Sequence, residues 1–136
     1  MILMLFFMMV FCHIVDDFYL QPTMLSTLKQ KKFWERECEK ENLNFDDYKN
    51  DYKVALLIHG FSWSFMVMLP LIVYSLFNST ISNDYSVYVP FLVTNAWIYA
   101  LVDNEKANKM TMNLVADQSI HLIQIIAAYI GFLAFC

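Results

Sequence analysis

Two residue pairs with the same spacing carry most of the chemistry in this sequence. His13 and Asp17 stand four apart in HIVDDFYLQ, and Asp117 and His121 stand four apart in ADQSIH. That spacing puts each pair on one face of a helix. An aspartate beside a histidine either fixes the imidazole tautomer or joins the ring in holding one cation. The third of the three histidines, His59, lies in ALLIHGF. Asp16 and Gln21 flank the first pair, Gln118 lies within the second, and Asp103 and Lys106 occur in LVDNEK.

A mostly apolar chain has to position these groups. Of its 136 residues, 59% are hydrophobic and 16% charged, whereas a soluble domain is about 45–50% apolar and about 25% charged. Four apolar stretches stand out, Met1–Leu20, Val54–Phe77, Ser86–Val102 and Leu114–Cys136. A bilayer core of about 30 Å takes about 20 helical residues, and each stretch is near that length. Four such stretches packed as a soluble core would leave too little polar sequence to coat it. The first stretch lacks the basic start and small-residue cleavage site of a signal peptide, so it reads as a span. The expectation is an all-α fold, an integral membrane four-helix bundle forming one transmembrane domain over residues 1–136.

The basic residues set the expected orientation. Lys29, Lys31, Lys32, Arg36, Lys40, Lys49 and Lys53 lie between the first and second stretches, and Lys106 and Lys109 between the third and fourth. All nine bases therefore fall in alternate connections, while Asn78–Tyr85 has none. The positive-inside rule then makes both basic loops cytoplasmic and turns both termini outward, in a multi-pass protein of the inner (cytoplasmic) membrane. Pro70 and Pro90 predict kinks or a late helix start, because neighbouring helices in lipid can satisfy the freed carbonyls. Asn78-Ser79-Thr80 forms a glycosylation sequon in the outer connection.

The net charge of −4 gives no basis for a nucleic-acid partner, whose affinity comes from basic patches. Cys12, Cys38 and Cys136 form neither a CxxC pair nor a disulfide framework, and are expected as buried or interfacial thiols. The loop 22–53 holds seven bases and seven acids. It is expected to be partly helical, with TLKQKKFWERECEKEN either lying on the headgroups or solvated, and Asp46 or Asp47 capping a later helix.

Placed by depth, His13, Asp16, Asp17, Gln21, His59, Asp103, Asp117, Gln118 and His121 all fall at the cytoplasmic level. Ionisable groups within spans cost about 2.5–3.5 kcal/mol each at the centre, so they turn inward and pair. Three readings follow. The cluster binds a divalent metal, zinc foremost, through His13, Asp17, His59, Asp117 and His121. Or it is a metal-free hydrogen-bond network holding the helices in register. Or it lines a proton or solute path. With a metal and an open position, hydrolysis of a lipid or lipid-linked head group follows, with Asp16 or Asp103 as general base and Lys106 engaging the anionic group. The competing function is a non-enzymatic phage or bacterial accessory factor acting through a membrane-protein partner or as a homo-oligomer. Gly60 and Gly131 are the only glycines, which excludes a phosphate-cradling loop.

HIVDDFYLQ, LLIHGF, LVDNEK and DQSIH together resemble the domain-of-unknown-function family 3307, small bacterial and phage membrane proteins of uncharacterised function. The family pattern is His-x-x-x-Asp-Phe-x-Leu-Gln closing the first span, a His in the second, Ile-Asp-x-x-Lys after the third and Asp-Gln-x-x-His in the fourth. His13, Asp17, Phe18, Leu20 and Gln21 match the first motif, His59 the second, Asp103 and Lys106 the third, and Asp117, Gln118 and His121 the fourth. The resemblance covers most of the chain and implies a membrane location and a shared polar site. In one departure, Tyr99 stands where the family tends to carry a His four residues before the aspartate.

Overall fold

The computed structural model describes residues 2–78 and 85–135. Ser79 and Thr80 of the sequon, and Cys136, lie outside the described residues. Every element among the described residues is helical. Helix α1 (Ile2–Val15) runs on into a wide turn, Asp16–Leu20, in which the Gln21 N–H donates to the carbonyl five residues back, at Asp16. The basic loop holds α2 (Thr23–Leu28), α3 (Lys31–Lys40) and α4 (Phe45–Tyr48). Then come α5 (Asp51–Phe77), α6 (Tyr85–Asn104) with a second wide turn at Glu105–Lys109, and α7 (Leu114–Phe135).

Local chemistry sets the breaks. TLKQKKFWERECEKEN forms two helices instead of one, broken at Lys29 and Gln30. Asn42 ends α3 in a left-handed conformation (φ 54°), with the Leu43 N–H on the Cys38 carbonyl, a common helix stop. The cap of α4 is Asn44, whose side chain accepts the Asp46 N–H at 3.2 Å. Asp46 and Asp47 therefore occupy the first turn instead of the cap, where their charge still favours the helix dipole. Asn113 Oδ1 accepts the Ala116 N–H at 2.8 Å and opens α7 in the same way. Both α5 and α6 continue through their prolines, Pro70 and Pro90.

Three helical segments, Ile2–Leu20, Phe45–Phe77 and Leu114–Ala134, are long and apolar enough to cross a membrane. Each packs by one stripe, shown by Leu5, Met9, His13 and Asp16 in the first and by Leu56, Gly60, Trp63, Val67 and Leu71 in α5. The spacing of three to four residues is that of a single helical face. Trp63, Met9, Leu71 and Ile125 are fully buried at the centre. The opposite faces expose Leu3, Phe7, Phe11, Ile58, Phe61 and Ile123, which suits a lipid surround. Helices α5 and α6 meet backbone to backbone, since a Cβ on Gly60 would lie 2.5 Å from the Ala96 carbonyl oxygen. Small residues permit that approach in membranes.

Candidate functional site

The polar site lies where the wide turn after α1 meets α5, α6 and the start of α7. A wide turn holds one more residue than a regular one. Here two consecutive carboxylates reach neighbouring helices, Asp16 bonding to α5 and Asp17 to α6 and α7.

Hydrogen bonding fixes the state of His13. The Trp63 indole N–H, which can only donate, reaches His13 Nδ1 at 2.7 Å. The proton of the neutral ring must then sit on Nε2, which donates to Gln118 Oε1 at 3.1 Å. The Gln118 amide nitrogen in turn donates to Asp17 Oδ2 (3.1 Å) and Asp117 Oδ2 (3.2 Å). His13 and Asp17 do share a face, at 3.7 Å. Both ring nitrogens are nevertheless engaged, so His13 offers no lone pair to a metal in this arrangement.

His59 is arranged differently. Tyr99 Oη donates to Asp17 Oδ1 at 2.7 Å and lies 2.9 Å from His59 Nε2. With its one proton given to Asp17, Tyr99 accepts from His59, which places the ring proton on Nε2. His59 Nδ1 is left as a bare lone pair, 3.9 Å from Asp16 Oδ2. Asp16 Oδ1 accepts from Ser62 at 2.9 Å, but Asp16 Oδ2 is buried with no hydrogen-bond partner among the described residues. Both residues are almost fully buried, His59 at 1% exposure and Asp16 at 2%.

Asp16, Asp17 and His59 each offer an atom such that all three lie within 4.8 Å of one another. They are close enough to hold a metal ion. Two ligands at about 2.1 Å from one ion are separated by at most about 4.2 Å, which spans the gap between Asp16 and His59. A ligating histidine normally donates its other ring N–H to a fixed partner, as His59 does to Tyr99. Asp16, expected as a general base, therefore stands with the ligand candidates. Tyr99, which replaces a histidine of the resembled pattern, becomes the residue that orients His59.

Asp117 and His121 lie outside this group of three. His121 Nδ1 donates to Gln124 Oε1 at 3.0 Å, and the Gln124 amide donates to the Asn95 carbonyl at 3.1 Å. The other ring nitrogen, Nε2, stands 3.3 Å from Asp117 Oδ1, which like Asp16 Oδ2 is buried with no hydrogen-bond partner among the described residues. The His121 ring stacks on Tyr99, with centroids 4.1 Å apart. Asp117 Oδ2 holds Lys106 at 2.6 Å. Asp103 is bound by Lys29, also at 2.6 Å and buried, which removes the freedom a general base needs. Farther out, hydrogen bonds from Lys109 and Thr111 hold the half-buried Glu105 carboxyl below the usual carboxylate range.

Sequence reasoning missed Ser62, Trp63, Gln124, Asn95 and Lys29. Spacing could have found three of them, since Ser62 and Trp63 follow His59 by three and four residues and Gln124 follows His121 by three. Lys29 and Asn95 carry no such signal. Of the two cysteines described, Cys38 is buried and Cys12 half-buried, and both are free thiols.

Fold and site together define an all-helical protein with helices apolar enough to cross a membrane and a buried histidine–carboxylate cluster. No family model matches the chain, and comparisons with curated proteins and with solved structures find no match.

Proposed function

We propose that this is a four-span protein of the cytoplasmic membrane whose Asp16, Asp17 and His59 hold a divalent cation, of the zinc class, beside the basic loops. The observation that carries this reading is Asp16 Oδ2, buried with no hydrogen-bond partner among the described residues and 3.9 Å from His59 Nδ1, within the group of three ligand candidates. Charge supports it as well. With the histidines neutral, the carboxylates of Asp16, Asp17, Asp103 and Asp117 face two ammonium groups, Lys29 and Lys106. The excess equals the charge of one divalent ion. Uncompensated charge in a low-dielectric interior costs several kcal/mol per ion.

Helix α6 serves as the fourth span. Its polar Asn95 and Asp103 are buried while Val89, Val93, Trp97 and Leu101 face outward. Polar-inside, apolar-outside is the arrangement lipid demands. The basic residues of Lys29–Lys53 and Lys106–Lys109 support a cytoplasmic placement of that end. The resemblance to the domain-of-unknown-function family 3307 supports the same reading in part, since Asp17 and His59 are among its motif residues and Asp16 is not. A divalent metal held by Asp16, Asp17 and His59 would supply Lewis-acid chemistry.

A second reading, a metal-free network that locks the helices, draws on His13 and Gln118. Their donors and acceptors are matched along the run from Trp63 to Asp17. Elemental analysis of detergent-purified protein decides between the two. Stoichiometric zinc, manganese or iron that disappears in Asp16→Asn supports the metal site, and metal-free protein with an intact fold leaves the network alone.

A further inference from the structure

The metal reading leaves a neighbouring feature without a role. A cavity of about 420 Å³ borders Asp17 and Tyr99, within the about 300–1,000 Å³ typical of small-molecule sites. Three lysines from three different segments line it, Lys29 after α2, Lys32 in α3 and Lys106 in the wide turn after α6, against the two carboxylates of Asp17 and Asp103. An ammonium has three N–H donors. Lys29 and Lys106 each use one on a carboxylate oxygen, of Asp103 and Asp117. Lys32 is exposed and takes part in no ion pair among the described residues.

The same cavity has an apolar side. Phe18, Met110 and Leu114 line it and are 58%, 80% and 54% exposed. A ligand suited to both sides carries a multiply charged head with acceptor oxygens in several directions, and apolar chains that leave past Phe18 and Leu114. Phosphate presents such oxygens, and convergent lysines are a common way to bind it.

We infer that this cavity binds a phosphate ester, with Lys29, Lys32 and Lys106 holding the phosphate and the exposed Phe18, Met110 and Leu114 accommodating acyl chains. The inference rests on the proposed function for the reaction class, and Asp17 is the residue common to both sites. It names the head group that the metal would meet.

Calorimetric titration of the detergent-solubilised full chain tests it, with bound zinc measured in the same samples. The probes are dioctanoyl phosphatidic acid, glycerol 3-phosphate and dioctanoylglycerol. Lys32→Gln changes an exposed residue without an ion pair, and Lys106→Gln keeps a donor for Asp117. Each is expected to weaken phosphatidic acid binding by roughly tenfold, the value of one charge-assisted bond. Phosphatidic acid binding without glycerol 3-phosphate binding identifies the lipid as the source. Equal binding of both, weakened by the same substitutions, identifies a soluble ester and still supports the phosphate site. Dioctanoylglycerol binding as tightly as phosphatidic acid, or full affinity in both variants, overturns the inference. Bound zinc with no phosphate binding overturns it while leaving the metal site standing. Phosphate binding without zinc does the reverse.

Discussion

His59 Nδ1 faces Asp16 Oδ2 across 3.9 Å, and Asp16 Oδ2 has no hydrogen-bond partner among the described residues. Each is held there from behind, His59 by Tyr99 and Asp16 by Ser62. Two buried acceptors opposed in this way repel unless a positive centre occupies the gap.

Asp16→Asn gives opposite results under the two functional readings. If a cation binds, the substitution removes a ligand and the protein loses both metal and stability. A site filled at about 100 times its Kd contributes about 2.7 kcal/mol, and chelator should lower the melting temperature of the wild type alone. If the cluster is metal-free, Asn replaces an unpaired buried charge and raises the melting temperature. Thermal melts with and without chelator separate these outcomes.

Trp63→Phe removes the donor that fixes His13. The exposed lone pair on Nδ1 should cost about 1–3 kcal/mol. It should also allow the His13 proton to move between nitrogens. Imidazole nitrogen chemical shifts are expected to report a single Nε2–H tautomer in the wild type and a mixture in the variant.

The two glycines should respond unequally to alanine. At Gly60 the new Cβ meets the Ala96 carbonyl oxygen at 2.5 Å, a backbone atom that cannot turn aside. That should separate α5 from α6 and cost about 1–3 kcal/mol. At Gly131 the nearest atoms, from 2.6 Å, belong to the Phe91 ring, which can rotate. The smaller loss expected there is checked by comparing unfolding of the two variants in the same detergent.

Lys29→Ala should be severe for a residue in a charged loop. It leaves Asp103 buried without a partner, a change worth about 3–5 kcal/mol. Lys29→Met combined with Asp103→Leu removes both charges and should recover most of the loss. A double-mutant cycle measures the coupling directly.

The long helices and the gathering of histidines and aspartates were legible because both follow from composition and spacing. Val54–Phe77 carries no acid or base apart from His59, and the His13–Asp17 and Asp117–His121 pairs announce shared faces. The details of the cluster depend on geometry that sequence does not carry. Lys29 reads as one more solvated charge until α2 folds back and buries it against Asp103. Asp16 follows His13 by three residues and is placed in the cluster by sequence, but its bond to Ser62 and its approach to His59 depend on how the first helix meets α5. Tyr99 stood out in the sequence only as a departure from the resembled pattern, yet its hydroxyl joins His59 to Asp17.

Asn108, in the second wide turn, accepts the Lys31 N–H at 2.6 Å and donates to the Lys29 carbonyl at 3.0 Å. A hydrophilic excursion between two long apolar helices is thereby bolted at one point to the foot of α6. Bolting divides Pro22–Lys53 into two shorter arms, and shorter arms forfeit configurational freedom. Proteolytic nicking at Asn42–Asn44, beyond the bolt, would cut one arm and leave the cavity wall anchored by the other.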